Sequence, residues 1–111
     1  MPRYVPNKGD FIAVTFDPQS GHEQKGRRPA LVVSNDLFNR RMGMAIVCPI
    51  TNTDSDIPFH VAVPEDSGLT GFVMVEQVKT IDYVSRKARY INKASDQMLD
   101  EVLSILDAIL Y

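Results

Sequence analysis

The stretch Gly21-His22-Glu23-Gln24-Lys25-Gly26-Arg27-Arg28-Pro29-Ala30-Leu31-Val32-Val33-Ser34 is a polar, glycine-bracketed loop that runs straight into a short apolar strand. Pro29 fixes the entry to that strand. The same alternation of apolar runs and turn residues continues in both directions. Phe11-Ile12-Ala13-Val14-Thr15-Phe16 predicts a strand ended by Asp17-Pro18, and Met44-Ala45-Ile46-Val47-Cys48 one ended by Pro49. Phe59-His60-Val61-Ala62-Val63 predicts a strand ended by Pro64, with His60 pointing to solvent between apolar neighbours. Gly71 to Ile81 is long enough to be bent or split into two, and Ala88-Arg89-Tyr90-Ile91 closes the series. The run lengths and β-branched residues favour strands over helix fragments. No helix of useful length separates most of them, so the sheet is expected to be largely antiparallel. Asn35 to Arg41 fits a short helix capped by Asn35 or Ser34.

The period changes at the C-terminus. Ser95 can cap a helix, and Asp96 suits its first turn. Met98, Leu99, Val102, Leu103, Ile105, Leu106, Ile109 and Leu110 recur at intervals of three and four, with polar residues between them. The apolar stripe is wide: part should pack on the sheet, and the rest is available to a second subunit. The expected architecture is therefore mainly β with a C-terminal α-helix, in one domain spanning residues 1–111.

Composition narrows the function. The chain is 44% hydrophobic and 23% charged, ordinary for a soluble globular protein. No apolar run approaches the length of a membrane helix. The N-terminus lacks a signal-peptide core, so a cytoplasmic location is expected. Cys48 is the only cysteine and sits in an apolar run, which fits a buried, inert thiol. The net charge is −2, but its distribution is uneven. Residues 1–53 carry seven Lys/Arg against four Asp/Glu, and residues 79–93 carry five against one. Folding can bring two such segments into one basic face, although a mixed solvated surface fits the composition equally well.

No metal-ligand spacing appears: His22 and His60 belong to no Cys/His cluster. No Gly-Lys-Ser/Thr follows the glycines near Glu23, which excludes a phosphate loop. A cofactor-free acid–base site remains. Arginine suits phosphate through its planar, permanently charged fork, and a carboxylate can act as general base. RNA supplies its own nucleophile, the 2′-hydroxyl, so a base, a cation and an acid suffice to cleave it. On spacing alone, Glu23 and Arg28 fit an ordinary surface ion pair better. Thr51 likewise fits a turn-initiating threonine in Thr51-Asn52-Thr53-Asp54 better than a phosphate ligand.

The blocks together resemble the MazF/PemK family of toxin endoribonucleases. Gly9-Asp10, Phe16-Asp17-Pro18, Gly21-His22-Glu23-Gln24 through Gly26, Arg28-Pro29, Cys48-Pro49-Ile50-Thr51 and Gln77-Val78-Lys79-Thr80-Ile81 occur in that order with compatible spacing. The resemblance implies an SH3-like, partly open antiparallel barrel of the CcdB/PemK type with a C-terminal helix, working as a homodimer. It implies metal-independent cleavage of single-stranded RNA, notably messenger RNA, to 2′,3′-cyclic phosphate and 5′-hydroxyl ends, with no cofactor and with an antitoxin protein as partner. By position, Arg28 stabilises the phosphorane, Glu23 is the base and Thr51 orients the phosphate. Gln24, Arg27, Gln77 and Lys79 are the implied RNA contacts. The PemK-like branch carries Arg-x-Asp-Gln where this chain has Met74-Val75-Glu76-Gln77, which leaves Glu76 as an alternative base. A second reading is a non-enzymatic toxin like CcdB, which acts on DNA gyrase. A third is a plain nucleic-acid-binding barrel.

Overall fold

The structure is a computed structural model that describes residues 3–15, 27–54 and 56–111. Seven strands occur among them: β1 (Asp10–Thr15), β2 (Arg27–Val32), β3 (Ala45–Thr51), β4 (His60–Ala62), β5 (Phe72–Met74), β6 (Lys79–Ile81) and β7 (Arg89–Lys93). Two helices complete the fold, α1 (Asp36–Met42) and α2 (Asp96–Leu110). Every strand pair is antiparallel. The sheet runs β4-β5-β3-β2-β1-β7, with β6 also paired to β3. Its two outer strands, β4 and β7, do not pair with each other, so the sheet is open. This is the expected mainly-β architecture with a C-terminal helix.

Local sequence explains the helix ends. The Asn35 side chain accepts from the Phe38 N–H at the start of α1, and Gly43, at φ +67°, closes that helix in the left-handed conformation. Ser95 accepts from the Met98 N–H and starts α2. The expected split of residues 71–81 is real. Strands β5 and β6 are separated by a 3-10 turn at Val75–Gln77.

The two faces of the sheet bury different clusters. On one face, Phe11, Leu31, Cys48, Ile50, Val73 and Val75 pack under Met98 and Val102 of α2. On the other, Ile12, Val14, Ala30, Val32, Val47 and Ile81 pack with Tyr83 and the N-terminal Tyr4 and Val5. Leu99, Leu103, Ile105 and Leu106 rest partly buried on the first cluster. Ile109 and Leu110 stay exposed at the end of the helix, which fits the wide stripe in the sequence.

Three strand expectations change. β2 begins at Arg27, so Pro29 lies inside the strand, opposite Ala13, rather than at its entry. Pro49 does not end β3: it lies inside the strand, opposite Ala30. On its other edge β3 passes from β6, last paired at Val47↔Lys79, to β5, first paired at Ile50↔Val73. Pro49 stands in that gap, so its missing N–H removes no ladder bond there. The last strand is also shifted, covering Arg89–Lys93 rather than starting at Ala88.

Candidate active site

Arg28 lies near the start of β2, exposed, opposite Val14 of β1. The β2–β3 pairing runs Val32↔Val47, Leu31↔Cys48 and Ala30↔Pro49. The ladder ends at that last pair, and Arg28 and Thr51 each lie two residues beyond it on neighbouring strands. Alternation along each strand then places both side chains on the same face of the sheet. Among the described residues the Arg28 guanidinium has no hydrogen-bond or ion-pair partner. It is a permanent cation left available for an anion.

Thr51 ends β3, half-buried. Its Oγ1 accepts from the Thr53 N–H at 3.1 Å. The turn-initiating reading of this threonine is therefore correct. It does not compete with phosphate binding, because that bond uses a lone pair and leaves the hydroxyl proton free to donate. Gly71 packs against Thr51, and its carbonyl accepts from the Val63 N–H.

The neighbouring arginine is built into the scaffold. One guanidinium nitrogen of Arg27 donates to the Lys87 carbonyl at 2.8 Å, the Arg86 carbonyl at 3.3 Å and Thr15 Oγ1 at 3.3 Å. The other donates to the Ala13 carbonyl at 3.3 Å. Arg86 in turn donates to the Thr15 carbonyl. These bonds bring the two basic segments of the sequence side by side at one end of β1 and β2. Lys79 is exposed on β6, opposite Val47, and Gln77 is exposed on the 3-10 turn. Glu23 and Gln24 lie outside the described residues, as do Phe16-Asp17-Pro18 and Gly21 to Gly26.

Glu76 and His60 come together. The His60 Nε2 to Glu76 Oε2 distance is 2.9 Å, with the His60 side chain 5% exposed and the Glu76 side chain 27%. The expectation that His60 points to solvent is thus incorrect. Its strand pairs with β5, which places the imidazole beside the turn that carries Glu76. The sequence held one signal for this contact. A hairpin closing near Gly68 and Gly71 would bring residue 60 alongside residues 74–76. Cys48 is fully buried, and its thiol is pushed up to about 12, first by burial and then by the nearby Glu76 charge. It is an inert core residue, as expected. Among the described residues no group of three or more His, Cys, Asp or Glu side chains gathers to hold a metal ion. No helix there is long and apolar enough to cross a membrane.

A family model described as the PemK-like, MazF-like toxin of type II toxin–antitoxin systems matches residues 7–110. The chain is 40% identical to Endoribonuclease toxin ChpB of Escherichia coli K12 over 110 residues, covering 92% of this chain and 91% of that protein. It is 41% identical to Endoribonuclease toxin MazF of the same strain over 86 residues, covering 78% and 77%. Among solved structures, MazF (Form-I) from Deinococcus radiodurans superposes with a TM-score of 0.87 at 38% identity, covering 97% of this chain and 98% of that one. The MazE-MazF structure (Form-II) from the same organism gives 0.86 at 32%, covering 97% of each chain. The family match takes in Arg28, Thr51 and Glu76 together with α2, and the solved relatives share the open antiparallel sheet; the chain belongs to the PemK-like, MazF-like toxins of type II toxin–antitoxin systems.

Proposed function

We propose that this chain is a cytoplasmic, sequence-selective endoribonuclease that cleaves single-stranded RNA, messenger RNA included, without a metal ion. The observation that carries the reading is the shared sheet face of Arg28 and Thr51 on adjacent strands, each two residues beyond the last β2–β3 pair. A scissile phosphate seated there meets a guanidinium fork from β2 and a hydroxyl donor from β3. Attack by the adjacent 2′-hydroxyl makes a five-coordinate phosphorane bearing extra negative charge. Arg28 stabilises that charge in the transition state. Glu23 takes the 2′-hydroxyl proton, and Thr51 orients the phosphate by donating to a non-bridging oxygen. The P–O5′ bond breaks with a proton delivered to the departing oxygen, by Arg28 or water. A 2′,3′-cyclic phosphate and a 5′-hydroxyl remain. Gln24, Gln77 and Lys79 contact the flanking nucleotides. Arg27, tied into the backbone, contributes its charge from a fixed position. Glu76 is the alternative candidate for the base.

The names of the relatives support the activity, and the MazE-MazF structures support an antitoxin partner. An acidic, partly disordered tail on that partner would suit the basic end of the sheet and fold on binding. A homodimer is proposed through surfaces that include the unfilled part of the α2 stripe.

The test is primer extension on a long RNA incubated with purified protein, with chelator and with an all-DNA control. Cleavage is expected to persist in chelator and to be absent on DNA. Arg28→Ala is expected to lower kcat about 10²- to 10³-fold, the cost of losing one transition-state charge donor, with the circular dichroism spectrum unchanged. Undiminished cleavage by that variant refutes the role of Arg28, and cutting of DNA refutes 2′-hydroxyl attack.

A further inference from the structure

We infer that His60 and Glu76 form a partly buried positioning pair for RNA binding, and that Glu76 is not the general base. The inference rests on the ribonuclease reading and concerns the 3-10 turn Val75–Gln77. That turn links β5 to β6 and places Gln77 and Lys79 on the surface.

Both oxygens of Glu76 are committed away from substrate. Oε2 is 2.9 Å from His60 Nε2. Oε1 is buried, and it has no hydrogen-bond partner among the described residues. A carboxylate accepts, so the imidazole carries its proton on Nε2 and donates it to Oε2. His60 Nδ1 is also buried, without a hydrogen-bond partner among the described residues. A base must reach the proton it removes, directly or through one water. Neither the bonded oxygen nor the buried one is placed for that. A partly buried polar pair with one unsatisfied atom on each partner is a poor source of net stability. What it supplies is geometry. The bond fastens the turn to β4 at one defined point on its polar side, while Val75 anchors its apolar side in the core under α2. The turn's backbone is held by Val78 N–H to the Val75 carbonyl at 3.2 Å, and Val75 N–H to the Phe59 carbonyl at 3.3 Å.

The register ties this pair to the candidate active site. Thr51 pairs with Phe72, and Phe72 pairs with Ala62. His60 pairs with Met74, two residues along in each strand. Alternation therefore puts Thr51, Phe72, Met74, Ala62 and His60 on one face of the sheet, the face that also bears Arg28. The pair sits across β5 from Thr51, at the side where Gln77 emerges. Loss of the pair lets the turn drift relative to Arg28 and Thr51. RNA flanking the scissile phosphate is then held less well while the reacting groups stay in place.

The experiment is steady-state cleavage of a fluorogenic oligoribonucleotide by the full-length protein and its variants, with amide hydrogen exchange recorded on each. His60→Leu and Glu76→Ala are expected to raise KM about tenfold while kcat falls only a few-fold, the signature of lost binding rather than lost transition-state chemistry. His60→Gln keeps a donor for Glu76 and is expected to recover most of the KM of the wild type. Glu76→Gln keeps an acceptor for His60, and its loss is likewise expected in KM. Glu23→Gln is expected to lose kcat. Exchange at the Val78 amide is expected to accelerate in His60→Leu. A hundredfold fall in kcat for Glu76→Gln at unchanged KM makes Glu76 the base and overturns the inference. So does a His60→Leu variant with wild-type KM and wild-type exchange at Val78, or a His60→Gln variant as impaired as His60→Leu. If the wild type fails to cleave any RNA, the ribonuclease reading falls by itself. Exchange at Val78 still decides the clamp: acceleration supports it and an unchanged rate overturns it.

Discussion

Replacing Gly71 with alanine tests how tightly the fold holds Thr51. Gly71 has φ +118°, well outside the region an L-residue prefers. Occupying it with a side chain costs about 1–3 kcal/mol in backbone strain. The steric cost is separate. A Cβ built there stands 2.4 Å from the Thr51 carbonyl oxygen, 3.0 Å from Asn52 Oδ1 and 3.1 Å from Ile50 Cγ2. A close C···O approach is about 3.3 Å, so the end of β3 must retreat by about 0.9 Å. The first of these atoms is backbone and cannot rotate aside. The two costs together come to about 3–4 kcal/mol. Gly43 provides the comparison. It also has positive φ, +67°, but an added Cβ meets nothing within 4 Å. Gly43→Ala therefore carries only the conformational term, about 1 kcal/mol. For a chain of this size 1 kcal/mol moves the melting temperature by about 4 °C. Calorimetry should thus show Gly71→Ala melting about 12–16 °C below wild type and Gly43→Ala about 4 °C below. The displacement falls on Thr51, so cleavage per folded molecule should drop in Gly71→Ala and not in Gly43→Ala. Melting temperatures within about 3 °C of each other would refute the steric argument and the close packing of Gly71 on Thr51.

Two further predictions concern the scaffold. Asn39 is fully buried and donates through Nδ2 to the Pro6 carbonyl at 2.7 Å and the Ser34 carbonyl at 3.2 Å, while Ser34 Oγ donates to its Oδ1. Asn39→Ala strands these groups and should cost about 2–3 kcal/mol in urea unfolding; a loss below about 1 kcal/mol would refute the network. Cys48 is held protonated in the fold, its thiol pushed up from an ordinary 9.0 to about 12, and burial also raises the Tyr4 hydroxyl, helped by its bond to Asp10. A raised acid stabilises the fold fully below its unfolded pKa, and that contribution fades as pH rises through the folded one. Urea midpoints should therefore decline from about pH 9 upward, with a shallower decline in Cys48→Ala; identical slopes for the two proteins would remove Cys48 as a cause.

The elements with local determinants were legible in the sequence. Ser95 and Asn35 each accept from the N–H three residues on, so their caps need only the residues that follow. The 3.6-residue stripe of α2 and the break within residues 71–81 are equally local. The placement of Pro49 and His60 is not legible locally, because it depends on partners distant in the chain. A proline's cost in a strand is set by what lies opposite, and nothing near Pro49 says that β3 exchanges β6 for β5 at that point. A histidine between apolar residues faces solvent unless an acceptor is folded against it, and Glu76 arrives only through the β4–β5 pairing. The site shows the same division. Arg28 stands out by its place between a polar loop and a strand, whereas the sheet face it shares with Thr51 follows from the β2–β3 register, which their separation along the chain does not reveal.

Strand β3 explains how one short sheet can hold both a core and the candidate site. One set of alternating residues, Cys48 and Ile50, faces the cluster under α2 and is buried. The other set, Val47, Pro49 and Thr51, faces the opposite side. Val47 is buried there in the second cluster, while Thr51 is only half-buried. The second cluster thus thins out along β3 toward Thr51, and the matching position on β2 passes from buried Ala30 to exposed Arg28. Apolar packing has ended by that row, which leaves Arg28 exposed and Thr51 only half-buried. The same packing, two residues back, holds both strands rigid. Filling the row, for example with leucine in place of Thr51, would extend the core and close the approach. The gain in buried apolar area would then come at the expense of the site, which is the trade a rigid scaffold with an open edge avoids.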